Sequence, residues 1–272
     1  MNENNFYAFI NNFFKTTNVP ILCFDLDGTI VMNNTLNRSC LMEINAIKQK
    51  GTKICVATGR TYMQSKHIIN ELQPNFFCAL CDGRISFDYL KKSFYQYVSL
   101  DLNEDDFLFK KLFELSKGIV YEFCSGYVFS SNTVRRLFEL SFPNETLDTC
   151  LDIKNEWVNS IYMVVPSEKT IQQQIRTIIK EFNNSHIKID YSGLWLRIYS
   201  KKTDKSIPFE DYWDSMMCFG NGKNDFEILN KSKLKVVMQN SDSELMKVDG
   251  ALHLNCPIEK FLQIVNKYID HL

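Results

Sequence analysis

The sequence predicts an α/β protein in which a doubly wound parallel sheet is interrupted by a second, α+β domain. Short apolar runs alternate with amphipathic helical patterns in the first part of the chain and again near its end. Between these parts, strand-like runs follow one another across tight turns, which is typical of an antiparallel sheet. In addition, three of the apolar runs end in compact polar clusters.

The composition suits a globular protein and excludes several classes of function. The chain has 272 residues, 45% apolar and 23% charged, and its formal net charge of −1 leaves no general excess of positive charge for nucleic-acid phosphates. No apolar run approaches the roughly 20 residues of a transmembrane helix, and the first residues lack the pattern of a signal peptide. We therefore expect no nucleic-acid or membrane partner. Nine scattered cysteines indicate a cytoplasmic location.

The first elements follow from hydrophobic spacing. Residues 1–18 carry apolar side chains at helical intervals, which predicts an amphipathic helix that covers an edge of the core. Its polar face is rich in asparagine, so a membrane-surface anchor is disfavoured. The continuous apolar run Val19–Phe24 predicts a strand buried on both faces. A helix is predicted from about Thr35 to Lys50, with Gly51 at its end.

The alternation continues through two more strands. Lys53–Ala57 predicts the second strand, and Thr61–Leu72 predicts a helix that ends before Pro74. Phe76–Leu80 predicts the third strand. This order of strands and helices is the basis for predicting a parallel sheet.

One pair of cysteines, Cys78 and Cys81, forms a CxxC sequence. A structural zinc site would need a second pair, and a redox pair normally opens a helix, whereas this one ends a predicted strand. We interpret both as ordinary buried cysteines.

The middle of the chain predicts an inserted α+β domain over residues 84–198, within a core formed by residues 19–83 and 199–272. We expect an antiparallel sheet with helices on one face. The predicted strands are Tyr95–Leu100, Ile119–Phe123, Tyr127–Ser130, Trp157–Val165, Ile187–Tyr191 and Leu194–Tyr199, and the predicted helices are Glu104–Ser116, Thr133–Leu140 and Glu168–Phe182.

After the insertion the α/β pattern resumes. Ser215–Phe219 and Leu234–Met238 predict strands, with a helix between them, and Ile258–Ile269 predicts a closing helix.

The three polar clusters are the candidate site. They are DLDGT at 25–29, TGR at 58–60 and GNGKND at 220–225, each directly after an apolar strand. Ligands of open α/β sheets bind at the carboxyl ends of the strands, so the clusters are expected to converge.

The spacing of Asp25 and Asp27 places two carboxylates near one strand tip, and Gly28 lets the backbone turn. One carboxylate can attack phosphorus as a nucleophile, and the other can act as general acid and base. A calcium loop is the alternative, but the residues that follow do not supply its further ligands.

These motifs, together with Lys205 and Ser206, resemble the four motifs of the haloacid dehalogenase superfamily, and their order resembles the Cof-type, subfamily IIB phosphatases. The resemblance implies a Rossmann-like core with an inserted cap. It also implies Asp25 as nucleophile, Asp27 as general acid and base, and Lys205 as the cation beside them. Lys202 is the alternative to Lys205.

The resemblance further implies a phosphate-binding group formed by Thr58, Gly59, Lys205 and Asn224. Arg60 and Arg84 are candidate substrate contacts. For Arg60 the alternative is a surface charge at the start of a helix, and for Arg84 it is a simple polar turn between the two domains.

A Mg²⁺ ion is implied as cofactor, bound by the side chain of Asp25 and the carbonyl of Asp27. Asn221 stands where the family pattern has an aspartate that binds the metal. Its neutral carbonyl oxygen predicts weaker binding. Asp225 is expected to support the metal indirectly, with direct ligation as the alternative.

The sequence thus predicts a Mg²⁺-dependent phosphatase of small phosphorylated metabolites, sugar phosphates first. Three alternatives stay open: a phosphomutase on the same scaffold, a binding protein that Asn221 has disabled as a catalyst, and an interaction module that uses the N-terminal helix. The sequence predicts no oligomeric state.

Overall fold

The computed structural model describes residues 3–100, 106–124, 126–143, 158–181 and 186–271. The parts of predicted elements at positions 1, 2, 104, 105, 157 and 182 lie outside these residues. The chain forms two compact units. The first comprises Met1–Thr61, Ser65–Tyr97 and Asp204–Leu272, and the second comprises Tyr62–Gln64 and Val98–Thr203.

The helices are α1 (Glu3–Lys15), α2 (Arg38–Gln49), α3 (Tyr62–Leu72), α4 (Asp106–Leu115), α5 (Asn132–Ser141), α6 (Lys169–Glu181), α7 (Phe226–Lys231) and α8 (Ile258–Ile269). The strands are β1 (Ile21–Phe24), β2 (Val31–Met32), β3 (Thr35–Leu36), β4 (Lys53–Val56), β5 (Cys78–Leu80), β6 (Ile85–Asp88), β7 (Ser93–Gln96), β8 (Ile119–Glu122), β9 (Tyr127–Phe129), β10 (Ser160–Val164), β11 (Ile187–Ser192), β12 (Trp195–Ser200), β13 (Met216–Gly220), β14 (Leu234–Val237) and β15 (Leu252–His253).

The first unit contains a parallel sheet of five strands in the order β15-β14-β13-β1-β4. The prediction of a parallel sheet is confirmed. β1 lies between β13 and β4, so that Phe24 is level with both Phe219 and Val56. This register brings the carboxyl ends of three strands side by side.

Helices cover both faces of this sheet. On one face, Cys23, Cys55 and Cys218 pack in a buried cluster with Leu229 of α7. On the other, Phe219 contacts Phe261 of α8, with 5.9 Å between ring centroids. Both faces are apolar, which explains why the strands read as continuous apolar runs.

The N-terminal helix α1 covers an edge of the core, as predicted. Ile10, Phe13 and Phe14 are buried, and the ring of Phe14 lies 6.0 Å from that of Tyr268 on α8. The described part of the apolar face, at Ile10, Phe13 and Phe14, is therefore buried within the chain itself.

The helix predicted from Thr35 begins instead at Arg38. A short hairpin of β2 and β3 precedes it, and Asn33 and Asn34 turn the hairpin with φ of 50° and 59°. Asparagine tolerates this left-handed conformation. Asn37 then caps α2, because its side chain accepts hydrogen bonds from two backbone N–H groups of the first turn.

Beside the parallel sheet lies an antiparallel sheet of three strands, β5-β6-β7. An isolated bridge between Ala57 and Ala79 links β5 to the end of β4. This hairpin keeps the chain in the first unit as far as Tyr97, beyond the boundary at residue 84 that the sequence predicted. The strand predicted at Tyr95–Leu100 lies earlier, at Ser93–Gln96, where it pairs with β6.

Cys78 and Cys81 are both buried thiols. Burial raises the pKa of the Cys78 thiol to about 12, the opposite of what a redox thiol requires. These observations agree with ordinary core cysteines.

The second unit contains an antiparallel sheet in the order β11-β12-β10-β8-β9. Leu112 of α4 and Ile175 of α6 pack on one face, which carries Ile161. Phe138 of α5 packs on the opposite face, with its ring 5.2 Å from that of Tyr162. The expectation of helices on one face is therefore wrong for α5. Successive residues of the central strands point to opposite faces and are apolar, so both faces of the sheet must be buried.

Candidate active site

Three loops meet at the carboxyl edge of the parallel sheet. The N–H of Asp25 donates to the carbonyl of Phe219 at 2.9 Å, and the N–H of Ala57 donates to the carbonyl of Phe24 at 2.9 Å. These hydrogen bonds continue the pairing of β1 with β13 and β4 up to the carboxyl ends of the strands. The polar clusters that follow the three strands consequently lie next to one another, which is the usual ligand position in open α/β sheets.

The centre of the site is a buried group of two carboxylates and one ammonium. Lys205 Nζ donates to Asp25 Oδ1 at 2.7 Å and to Asp225 Oδ1 at 2.6 Å. All three side chains are nearly inaccessible to solvent. Since one cation faces two anions, the group holds one net negative charge when all three are ionised.

Burial and the neighbouring charges both shift the pKa values of this group. Burial raises the pKa of Asp25 to about 7, against the lowering effect of Lys205, and the nearby charge of Asp225 adds to the increase. For Lys205, burial acts to lower the pKa, but the ion pairs with Asp25 and Asp225 outweigh it and raise the pKa above its usual value. Lys205 therefore stays charged.

Asp225 is fully engaged in holding the third loop. Its Oδ2 accepts hydrogen bonds from the backbone N–H groups of Asn221 and Gly222 at 3.0 and 2.9 Å, while its Oδ1 faces Lys205. Because both of its oxygens are occupied, the Asp225 carboxylate stabilises Lys205 and the third loop. This geometry favours indirect support of a metal over direct ligation.

Asn221 lies across from the first loop. Its Oδ1 is 3.4 Å from the hydroxyl of Thr29, and the same hydroxyl is 3.5 Å from Asp25 Oδ2. Gly28, with φ of +76°, makes room for Asn221, because a Cβ at Gly28 would lie 2.4 Å from Asn221 Nδ2. Asn240, which the sequence reasoning did not single out, donates from Nδ2 to the Gly28 carbonyl at 3.0 Å.

Asp27 is exposed to solvent and is held by Arg60. Arg60 donates from Nε to Asp27 Oδ2 at 2.8 Å and from Nη2 to Oδ1 at 2.6 Å. Arg60 Nη1 donates to Asn34 Oδ1 at 2.5 Å. The sequence reasoning missed Asn34, although an Asn-Asn pair between two short apolar runs is a recognisable turn signal.

The second loop lies beside Asp82 and Asn224. Thr58 is buried, and its Oγ1 accepts a hydrogen bond from the N–H of Arg60 at 3.1 Å. Asn224 Nδ2 donates to Asp82 Oδ1 at 2.9 Å, and a Cβ at Gly59 would lie 2.9 Å from that same oxygen. The loop thus brings together Thr58, Gly59 and Asn224, with an additional carboxylate that the motifs did not assign to the site.

Arg84 lies in a different environment from the other candidate residues. Its side chain is 1% exposed, and its Nε donates to the carbonyl of Cys81 at 2.9 Å. It stabilises a turn in which Cys81, Asp82 and Gly83 all have positive φ. In this position Arg84 supports the backbone of the turn, and its role as a substrate contact stays a prediction.

The oxygen atoms of the first and third loops suit a hard cation. Asp25 Oδ2 and Asn221 Oδ1 both lie within 3.5 Å of one hydroxyl, and the Asp27 carbonyl belongs to the same loop as Asp25. The part of the chain that the structure describes contains no group of three or more His, Cys, Asp or Glu side chains arranged to hold a metal. The candidate donors therefore form a mixed set with one carboxylate, which is compatible with Mg²⁺.

Comparisons with known proteins identify the family. A model of haloacid dehalogenase-like hydrolases matches residues 22–249. A protein of Buchnera aphidicola subsp. Baizongia pistaciae named "Putative phosphatase" is 26% identical over 244 residues, which is 84% of this chain and 89% of that protein. Within the described residues, no helix is both long and apolar enough to cross a membrane.

Solved structures show the same fold. A haloacid dehalogenase-like hydrolase from Bacteroides thetaiotaomicron superposes with a TM-score of 0.69 at 16% identity, covering 90% of this chain and 98% of that one. A subclass IIB sugar phosphatase superposes with a TM-score of 0.57 at 17% identity, covering 93% and 98%. Since the family model spans the loops from Asp25 to Asp225, this chain belongs to the haloacid dehalogenase-like hydrolases.

Proposed function

We propose that this protein hydrolyses phosphate monoesters of small metabolites through a phosphorylated intermediate on Asp25. The observation that carries the proposal is the buried pair of Asp25 and Lys205, 2.7 Å apart at the carboxyl end of the central strand. Lys205 holds one oxygen of the carboxylate and leaves the other on the side of Asn221 and Thr29. Such an arrangement provides a carboxylate nucleophile together with a fixed positive charge.

The reaction proceeds in two displacements. First, an oxygen of Asp25 forms a bond to phosphorus while the bond from phosphorus to the leaving oxygen breaks, and Asp27 gives its proton to that oxygen. Water then attacks phosphorus and gives a proton to Asp27, while the bond between phosphorus and Asp25 breaks. Lys205 balances the negative charge near Asp25 in both displacements.

Asp25, Asn221 and the Asp27 carbonyl would hold the Mg²⁺ ion. Bound there, it would supply positive charge to the phosphoryl oxygens. Thr58, the Gly59 backbone and Asn224 bind the phosphoryl group. We also propose that the second unit is the cap that selects the rest of the substrate. A sugar phosphatase with the same fold supports sugar phosphates as the first class to test.

The test is phosphate release from an aryl phosphate and from a panel of sugar phosphates, with and without Mg²⁺. We expect metal-dependent release that Asp25→Asn abolishes. Asp249→Asn is the matched control, because Asp249 is exposed in the same unit. Acid quenching during turnover should trap the phosphorylated intermediate. In mass spectrometry, the peptide that contains Asp25 should then be heavier by one phosphoryl group.

Two outcomes would contradict the proposal. Release that survives in Asp25→Asn would exclude Asp25 as nucleophile. No release at any Mg²⁺ concentration would favour the binding-protein alternative, for which the neutral Asn221 is the supporting observation.

A further inference from the structure

We propose that Arg60 is a positioning residue: its guanidinium, supported by Asn34, holds the Asp27 carboxylate in one orientation for proton transfer to the leaving group. The inference rests on the proposed function and goes beyond the sequence assignment, in which Arg60 is a candidate substrate contact or a surface charge.

The contact between Arg60 and Asp27 is bidentate. Two nitrogens of one guanidinium edge donate to the two oxygens of one carboxylate, at 2.8 and 2.6 Å. This planar fork fixes both the distance and the rotation of the carboxylate, which a single hydrogen bond does not. Arg60 supplies both of the hydrogen bonds that the Asp27 carboxylate accepts from described residues.

Asp27 needs such support because it is open to solvent. Its side chain is 60% exposed, whereas that of Arg60 is 15% exposed. A carboxylate so exposed would otherwise sample several rotamers. A general acid acts only within hydrogen-bonding distance of the leaving oxygen. The rate of proton transfer therefore increases with the fraction of time that Asp27 spends in the correct rotamer.

Arg60 is itself held on three sides. Its N–H donates to Thr58 Oγ1 at 3.1 Å, and its carbonyl accepts from the N–H of Cys81 at 2.9 Å. Its Nη1 donates to Asn34 Oδ1 at 2.5 Å. The guanidinium is thus anchored both to the loop after β4 and to the β2–β3 turn. The two nitrogens that face Asp27, Nε and Nη2, both donate to its carboxylate.

The dependence on leaving group separates this role from phosphate binding. A nitrophenolate leaves without a proton, whereas an alkoxide needs one. The test therefore measures pre-steady-state release of the leaving group from p-nitrophenyl phosphate and from glycerol phosphate, in wild type, Arg60→Ala and Arg60→Lys. We expect about a 100-fold loss with glycerol phosphate, as for removal of a general acid, and less than about threefold with the aryl ester.

The conservative variant and a double variant sharpen the result. Arg60→Lys keeps the charge but loses the fork, so it should not restore the alkyl reaction. In an Asp27→Asn background, Arg60→Ala should cause no further loss, because the two residues act as one unit. Equal losses with both esters and a raised KM would overturn the proposal in favour of phosphate binding. Unchanged rates would also overturn it, because they would show that the contact between Arg60 and Asp27 is a surface ion pair without a role in the reaction.

Asn34→Gly is the second variant, in case Arg60→Ala does not fold. Glycine tolerates the φ of +59°, so the substitution removes only the amide that supports Arg60. It should cause a smaller loss with the same preference for the alkyl ester. Asn33→Gly, at φ of +50° in the same turn, is the control and should be neutral. Wild-type protein without activity on either ester would instead refute the proposed function, which keeps the two failures distinct.

Discussion

Lys205 lies with its Nζ 2.7 Å from Asp25 Oδ1, so that a charge 180 residues away along the chain neutralises the carboxylate at the tip of β1. The pair is buried, and the hydrogen bonds within the group offset part of its desolvation. Removing the cation would leave two carboxylates in a poorly solvated position.

We therefore expect Lys205→Met to lower the free energy of unfolding by about 3–5 kcal/mol and to abolish phosphate release. Urea unfolding and an activity assay measure both effects. Lys202→Met is the control, because Lys202 is exposed and was the alternative assignment. Its change should stay within about 0.5 kcal/mol. Loss of activity in Lys202→Met with activity retained in Lys205→Met would reverse the assignment.

The second prediction concerns pH. Because burial raises the pKa of Asp25 from 3.8 to about 7, the folded protein binds this proton more tightly than the unfolded chain. Stability from this group is present at low pH and falls as the pH rises from about 4 to about 7. Asp25→Asn should thus stabilise the metal-free protein above pH 7, by at most about 4 kcal/mol, and the gain should shrink toward pH 4.

Thermal or urea unfolding across this pH range, with a chelator present, measures the gain. Asp249→Asn, at an exposed position of the same unit, is the control variant. A constant difference for Asp25→Asn would show that the Asp25 carboxylate is not destabilised by burial.

The third prediction separates backbone strain from contact at Gly28. Alanine at Gly28 would adopt a φ of +76° and place its Cβ 2.4 Å from Asn221 Nδ2. Gly250→Ala is the matched control, since Gly250 has φ of +68° and open space around it. Gly250→Ala should lower stability by about 1 kcal/mol without loss of activity. Gly28→Ala should lose stability by more than this and lose activity, and equal effects would exclude the contact with Asn221.

The fourth prediction concerns the metal. Asn221→Asp adds a carboxylate beside Asp25, so Mg²⁺ should bind at least about tenfold more tightly, as measured by calorimetry. Asn255→Asp, which adds the same charge at an exposed position of the same unit, should leave the affinity unchanged. Wild-type protein that saturates at low micromolar Mg²⁺ would contradict the idea that Asn221 weakens the site.

Local patterns along the chain were enough to predict the strands β1, β4 and β13 and the loops that follow them. Strand-ending polar clusters at Asp25, Thr58 and Gly220 converge because parallel strands end at one edge of the sheet. Similarly, the family could be predicted from motifs whose residues lie close together in sequence.

Pairings between distant residues required the tertiary structure. Arg60 makes a bidentate contact with Asp27, and the β2–β3 turn supplies Asn34, which accepts a hydrogen bond from Arg60. The sequence alone does not indicate either contact. That Asp225 is occupied on both oxygens depends on Lys205 arriving from another segment. Nor does the sequence indicate that α5 covers the second face of the antiparallel sheet.

The physical reason is the range of the interactions involved. Hydrophobic periodicity, turn residues and motif spacing act between neighbours in the chain, so the sequence by itself determined the α/β class, the site loops and the family. Hydrogen bonds and ion pairs act through space over about 3 Å, so the partner of each site carboxylate was decided only when the chain had folded.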